Sequence, residues 1–270
     1  MGIEVDIPVR AVDRDVFHEI DHGVMRNAFA VHNTVGRFCD EKIYREALAM
    51  LCRGDGYHVD TEVRVRSSHE DFVKLYYLDL VVNRSVIYEL KAVDRWHEKH
   101  KAQLMHYLMI ANLHYGKLVN FRPASVESLF VTSSMRVEDR KRFSVNKDNW
   151  NPGSVVESEF LAIFERLLGN WGARLDLQLY QSALMHFVKK VGGGLEAVDL
   201  QMGDALIGAQ NICMLCAGVA WHLSAYNEYL EQHKKHLVRL LRCLKLEKIL
   251  WLNVGKDTLF VQTLTQSSCP

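Results

Sequence analysis

Leu75–Val93, LYYLDLVVNRSVIYELKAV, is the stretch on which the reading of this chain turns. It holds two apolar β-runs joined by a tight turn at Asn83-Arg84-Ser85. Three charged residues interrupt it: Asp79 in the first run, Glu89 and Lys91 in the second. Strand side chains alternate with period 2, so Glu89 and Lys91 share a face with Ile87 and Val93. An unpaired charge in apolar company is costly, and a partner or a metal is the usual remedy. Two acids and a lysine converging on one hairpin suit a hard divalent cation with an ammonium beside it. They equally suit a salt bridge on a half-exposed hairpin, and the hairpin alone leaves both readings open.

The surrounding chain narrows the setting. Its 270 residues are 49% hydrophobic, enough for one large domain or two ordinary ones. Lys+Arg and Asp+Glu are each 33, so the formal charge is zero and nucleic-acid binding by bulk charge is excluded. Such binding requires a local patch. The start, MGIEVDIPVRAVDRD, has no apolar run of the secretory kind, and Asp6 stands where myristoylation needs Ser or Thr. Leu206–Tyr226 lacks Asp, Glu, Lys and Arg and is long enough to span a bilayer. Gln210, Asn211, His222, Ser224 and two glycines argue instead for buried strands, with no membrane partner. Cys213 and Cys216 form an isolated C-x-x-C. With no second pair to complete a zinc site and with apolar flanks, they read as two buried thiols of a reducing cytoplasm, as against a metal or redox pair; the other cysteines are Cys39, Cys52, Cys243 and Cys269.

Helical spacing predicts a helix over Asp13–Val35, capped by Asp13 or Asp15 and ended by Gly36, then a second over Asp40–Cys52. Glu41 and Tyr44 lie on one face of the second. His58–Arg66 alternates as a strand before the hairpin. Glu98–His114 follows as a helix with Gln103 and Tyr107 one turn apart, then short strands at Lys117–Phe121 and Ser128–Thr132. This order predicts an α/β core. The polar, charged stretch around Glu138–Arg142, ending in Asn151-Pro152-Gly153, predicts a linker. The expected division is residues 1–135, a linker over 136–154, and residues 155–270.

The first half resembles the GxxExxY proteins of the PD-(D/E)XK nuclease superfamily. The series is Val31-His32 with Gly36, Glu41-x-x-Tyr44, Leu78-Asp79-Leu80, Glu89-Leu90-Lys91-Ala92-Val93, and Ala102-Gln103-Leu104 with Tyr107, closed by Gly116 and Asn120-Phe121. It covers about Asp13–Thr132. The family's Gly-Pro-Gly-like turn is reduced to Gly36, with Phe38 in the later glycine position. The resemblance implies a restriction-endonuclease-like core, a mixed central sheet flanked by helices. It implies Asp79 and Glu89 as metal ligands, with Glu41 reaching the same centre from its helix. Lys91 would stabilise the attacking water and the charge growing on the phosphate, while Gln103 and Tyr107 would support the lysine and contact nucleic acid. Magnesium, or manganese in its place, suits such an all-oxygen site.

The second half looks like a degraded repeat. His100-Lys101 to Asn120 is echoed by His233-Lys234 to Asn253, and Gly36, Tyr44 and Ala47-Leu48 by Gly172, Tyr180 and Ala183-Leu184. In that register the chemistry is gone. Glu41 maps to Leu177, Asp79 to the neighbourhood of Ile212, Glu89 and Lys91 to His222 and Ser224, and Gln103 and Tyr107 to His236 and Leu240. Lys235, Arg239 and Arg242 line one face of the late helix, which reads either as the ordinary solvated face of an amphipathic helix or as a set of candidate phosphate contacts.

The expectation is therefore a duplicated α/β fold whose first copy is a magnesium-dependent nuclease acting on DNA, with RNA less favoured. The chain would act as a monomer with an internal pseudo-dimer, or as a homodimer. A non-catalytic nucleic-acid- or protein-binding module that retains the fold is the alternative.

Overall fold

Capping and apolar periodicity set the elements much as expected. The structure, a computed structural model, describes residues 2–256 and 258–268, so Cys269 lies outside the described residues. It divides into two units, residues 1–139 and 140–270.

In the first unit, β1 (Gly2–Val5) precedes α1 (Arg14–Val35), α2 (Glu41–Gly54), β2 (Val59–His69), β3 (Phe72–Val82), β4 (Val86–Lys91), α3 (Glu98–Ala111), β5 (Tyr115–Asn120) and β6 (Glu127–Thr132). The sheet runs β1-β2-β3-β4-β5-β6, antiparallel except for the parallel pair β4–β5. The Asp13 carboxylate accepts from Val16 N and starts α1, and Gly36, at φ +79°, ends it. Helices α1 and α2 cover one face, where Phe17, Val24 and Leu48 pack against Leu80, Tyr88 and Phe121. Helix α3 covers the other, over Gly116: a Cβ there would meet Leu104 and Leu108. Because Ile87, Glu89 and Lys91 alternate with Tyr88 and Leu90, the two charges fall on the α3 face. Strand β1 carries no signal strong enough to read beforehand.

A short helix α4 (Val137–Arg140) leads to the second unit. There β7 (Ser144–Asn149), α5 (Val155–Trp171), α6 (Leu177–Lys190), β8 (Gly194–Met202), β9 (Ala205–Cys216), β10 (Val219–Ser224), α7 (Leu230–Leu244), β11 (Lys248–Val254) and β12 (Thr258–Thr265) follow. The sheet order is β7-β12-β11-β10-β9-β8. The stretch 136–154 is thus not a plain linker. Strand β7 pairs in parallel with β12, so its polar residues satisfy an edge strand's backbone and need no apolar pattern.

The two units share the order helix, helix, three strands, helix, two strands, and they repeat local devices. Tyr44 donates to Gly36 O, and Tyr180 to Gly172 O. Asn120 clasps Val93 through both N–H and C=O, and Asn253 clasps Tyr226 likewise. Asp21 pairs with Lys117, and Glu157 with Lys248. In both, the strand before the last helix pairs in parallel with the strand after it, Lys91 opposite Asn120 and Ser224 opposite Asn253. They differ at the first strand: β1 joins the β2 edge, whereas β7 joins the β12 edge.

The uncharged stretch Leu206–Tyr226 departs from expectation. Its strands are not buried on both faces: residues 205–211 of β9 are exposed, in a hairpin with β8. Lack of charge does not by itself mean burial on an arm of a long hairpin. Cys213 and Cys216 are free and half-buried rather than buried. A β-bulge lies between them, Val219 pairing with Cys216 and Ala220 with Met214, so the strand's alternation is broken there. Among the described residues no helix is long and apolar enough to cross a membrane.

Candidate active site

Strands β3 and β4 part at Asp79. Their ladder covers only Leu80–Tyr88, Val81–Ile87 and Val82–Val86, and the Asp79 carboxylate takes over beyond it, accepting from Leu90 N at 2.8 Å. Opposite Asp79 on β2, Glu62 stands at φ +50°, between the pairs Thr61–Leu80 and Val63–Leu78. A left-handed glutamate inside a strand is a strained conformation of the kind that gathers at functional sites.

Glu89 lies in the sheet interior, 3% exposed. One oxygen receives the Lys91 ammonium at 2.8 Å; the other, Oε2, is buried with no hydrogen-bond partner. Burial first, then the Asp79 charge, raises its carboxyl to about 7 against the pull of Lys91. Burial would lower the Lys91 ammonium, but Glu89, Glu41 and Asp79 outweigh it and hold it above the usual lysine value. Lys91 is therefore a cation in neutral solution, set among three acids.

Glu41, on the first turn of α2, reaches this centre only at its edge. Its Oε2 is 4.0 Å from Lys91 Nζ, and its Oε1 accepts from Ala92 N at 3.4 Å. On α3, Gln103 Nε2 donates to Tyr107 Oη at 2.9 Å. Burial, chiefly, raises the Tyr107 hydroxyl against the pull of the Gln103 bond, with smaller effects from the charges of Glu89, Lys91 and Asp79.

Arg45 is the member that sequence reasoning missed. It is buried, and its guanidinium bridges Glu62 at 2.8 Å and Asp79 at 3.4 Å. The signal was there: Arg45, Leu48 and Cys52 form the buried stripe of α2, and Arg45 lies one turn after Glu41. A charge in an apolar stripe marks a buried acid across from it.

In the second unit the corresponding positions hold no acid. Ile212, His222 and Leu240 line a cavity of about 210 Å³. His222 Nε2 faces His233 Nε2 at 3.2 Å, so His222 is paired rather than alone, and burial with that neighbour lowers it to about 4. Ser224, in the place of Lys91, is taken up by Asn253 and Trp251. On α7, Lys235, Arg239 and Arg242 are exposed on the side away from Leu237, Leu241 and Leu244. Arg242 is committed to the Gln266 carbonyl by two bonds of 3.2 and 2.7 Å.

A mixed sheet that opens at one acid, with an acid and a lysine two residues apart on the next strand, is the arrangement of a nuclease-type α/β domain. Residues 18–130 match the family model of the PD-(D/E)XK nuclease superfamily, and the first unit carries a domain of that superfamily. A solved structure, "Crystal structure of SSO0001", aligns at 19% identity and a TM-score of 0.29, over 45% of this chain and 59% of that one. No curated protein matches the chain.

Members of this superfamily typically use divalent metal ions. The donor set fits one: the orphaned Glu89 oxygen and the Asp79 carboxylate are hard oxygen donors. Among the described residues no three His, Cys, Asp or Glu side chains form a ligand cluster. Two carboxylates with Glu41 at the margin suit an ion that keeps several waters, as magnesium does.

Proposed function

We propose that the first unit hydrolyses phosphodiester bonds in nucleic acid, DNA in preference to RNA, with magnesium or manganese. The observation that carries this reading is Glu89. A carboxylate buried with one oxygen unpartnered and its proton held to about 7 is a costly arrangement that a cation relieves. Asp79 and Glu89, with Glu41 beside them, would hold the metal, which would supply Lewis-acid polarisation of the phosphate. Lys91, fixed by Glu89, orients the attacking water and stabilises the charge that grows on the phosphate oxygens. Gln103 and Tyr107 hold each other one turn apart on α3, bordering the acids where the scissile strand passes. We place this chain in the GxxExxY branch, read residues 140–270 as a degenerate copy, and assign phosphate contacts to Lys235 and Arg239. The free thiols among the described residues suit a reducing cytoplasm. The test is incubation of the full chain with labelled DNA and RNA, with magnesium, manganese or chelator. Cleavage that needs the ion and is lost in Glu89→Gln supports the reading; binding without cleavage under every condition overturns it.

Arg45 favours a second reading. Its guanidinium lies against Asp79 Oδ1, where a cation would draw charge, and a domain that has given up metal could keep that pair as the replacement. The unit would then bind nucleic acid or protein without cutting. Calorimetry with magnesium separates the two, because this reading requires no ion binding.

A further inference from the structure

From Val86 to Asn120 and from Val219 to Asn253 the two units run side by side without a gap. Their parallel strand pairs match one for one: Ile87–Gly116 with Ala220–Ile249, Glu89–Leu118 with His222–Trp251, Lys91–Asn120 with Ser224–Asn253. In that alignment His233 stands at the place of His100 and His222 at the place of Glu89. In the second unit these two side chains meet, Nε2 to Nε2 at 3.2 Å. A histidine at this point of the helix therefore reaches the strand position that bears the acid. In the first unit the pair is open. His100 Nδ1 accepts from His97 N at 3.2 Å, and among the described residues its Nε2 makes no hydrogen bond. Glu89 Oε2 is without a partner as well.

The start of the helix explains the difference. His97 is the extended N-cap of α3, at φ −123° and ψ 143°, and its N–H turns back onto the His100 ring. Leu230, at that place in the second unit, is already helical, and α7 has no side-chain cap. Leu104 and Leu108 rest over Gly116. His100 lies one turn before Leu104, toward the end of β4 that carries Glu89 and Lys91. It shares a face of α3 with Gln103 and Tyr107, three and seven residues on. A ring nitrogen that accepts a backbone N–H carries no proton, so the neutral imidazole holds its hydrogen on Nε2. Burial, then Lys91 and His97, lower the imidazole against the pull of Glu41, which keeps it uncharged near pH 7.

We propose that His100 is a further substrate-binding residue of the first unit, and that its Nε2–H donates to a non-bridging oxygen of the substrate phosphate. This rests on the reading of that unit as a phosphodiesterase. His97 N fixes the tautomer, and a neutral donor binds the anion without setting a second cation beside Lys91.

Two measurements on the full chain test it. Imidazole nitrogen shifts of the metal-free protein should show His100 protonated at Nε2 and bare at Nδ1 at neutral pH; the opposite tautomer overturns the proposal. Cleavage of a labelled duplex with magnesium is then compared in the parent, His100→Gln and His100→Leu, with His100→Ala in place of the leucine variant if that does not fold. Glutamine puts an amide N–H where the imidazole has Nε2–H and should keep kcat/KM within about threefold, whereas leucine should lose about 10- to 100-fold. With sulfur replacing one non-bridging oxygen of the cleaved phosphate, as separate Rp and Sp forms, the leucine penalty should fall below about threefold in one form, since sulfur accepts a hydrogen bond poorly. Equal losses in the glutamine and leucine variants, or one leucine penalty on all three substrates, overturn the proposal and leave His100 as a helix cap. A leucine variant as fast as the parent overturns it too. A parent that cleaves neither DNA nor RNA sinks the phosphodiesterase reading, and this role with it.

Discussion

Glu89 shows how one residue couples fold, charge and chemistry. Its carboxyl is raised to about 7 from an unfolded value near 4.5, so in the metal-free protein the buried group prefers its proton. Its contribution to stability is therefore full below about pH 4.5 and is lost as pH rises through about 7, a swing of about 3 kcal/mol. Glu89→Gln should remove that slope when denaturation is followed in chelator from pH 4.5 to 8; an unchanged slope would place the titration elsewhere. For the same reason magnesium must displace a proton, and its affinity should rise about tenfold per pH unit below 7. Arg45 tests the neighbouring acid. Arg45→Met leaves Asp79 and Glu62 without their cation and should cost about 3 kcal/mol in chelator. Saturating magnesium should restore part of this by putting positive charge back at Asp79. Stability that does not respond to the ion would mean that no cation sits there. Lys91→Ala should keep ion and DNA binding but slow turnover about 100- to 1000-fold, because its charge matters most in the transition state; turnover within twofold of the parent would exclude a catalytic role.

At the scale of elements, the asparagine clasps hold the strand ends that bear the sites. Asn120 is fully buried and bonds Val93 N at 3.1 Å and Val93 O at 2.7 Å, closing the chain just beyond Lys91. Asn253 does the same to Tyr226 at 2.8 Å in both bonds. Removing either side chain leaves main-chain groups unpaired, at a cost of about 2–3 kcal/mol. Asn120→Ala should lower both stability and cleavage, since it frees the segment after Lys91. Asn253→Ala should lower stability alone, as its strand carries no acid. Equal loss of cleavage in both, measured at a temperature where both are folded, would break the assignment of chemistry to the first unit.

At the scale of the whole chain, one candidate centre serves two units of like topology. A monomer should therefore nick supercoiled plasmid before linearising it; concerted double-strand cleavage by the monomer would remove the single-centre claim. Among the described residues Lys235 and Arg239 form no ion pair on the exposed face of α7, whereas Arg242 is spent on Gln266 O. Lys235→Glu with Arg239→Glu should weaken DNA binding and flatten its salt dependence, leaving ion binding intact. Adding Arg242→Glu should bring a loss of stability with little further change in affinity. Unchanged affinity in the double variant would remove this face from the binding surface.

Strand and helix order from α1 to β6, the hairpin turn at Asn83–Ser85, and the shared face of Glu89 and Lys91 were determined by sequence alone, because each follows from period, capping and turn chemistry over a few residues. So was the correspondence of Gly36 with Gly172 and Tyr44 with Tyr180. What only the tertiary structure decided depends on which distant groups meet. The parting of β3 from β4 at Asp79 and the reach of Arg45 across to it belong to no local pattern. Nor does the edge that β7 joins: a polar edge strand has no burial to write into its sequence. The exposure of residues 205–211 is the same lesson reversed, since an uncharged strand is buried only where something packs on it.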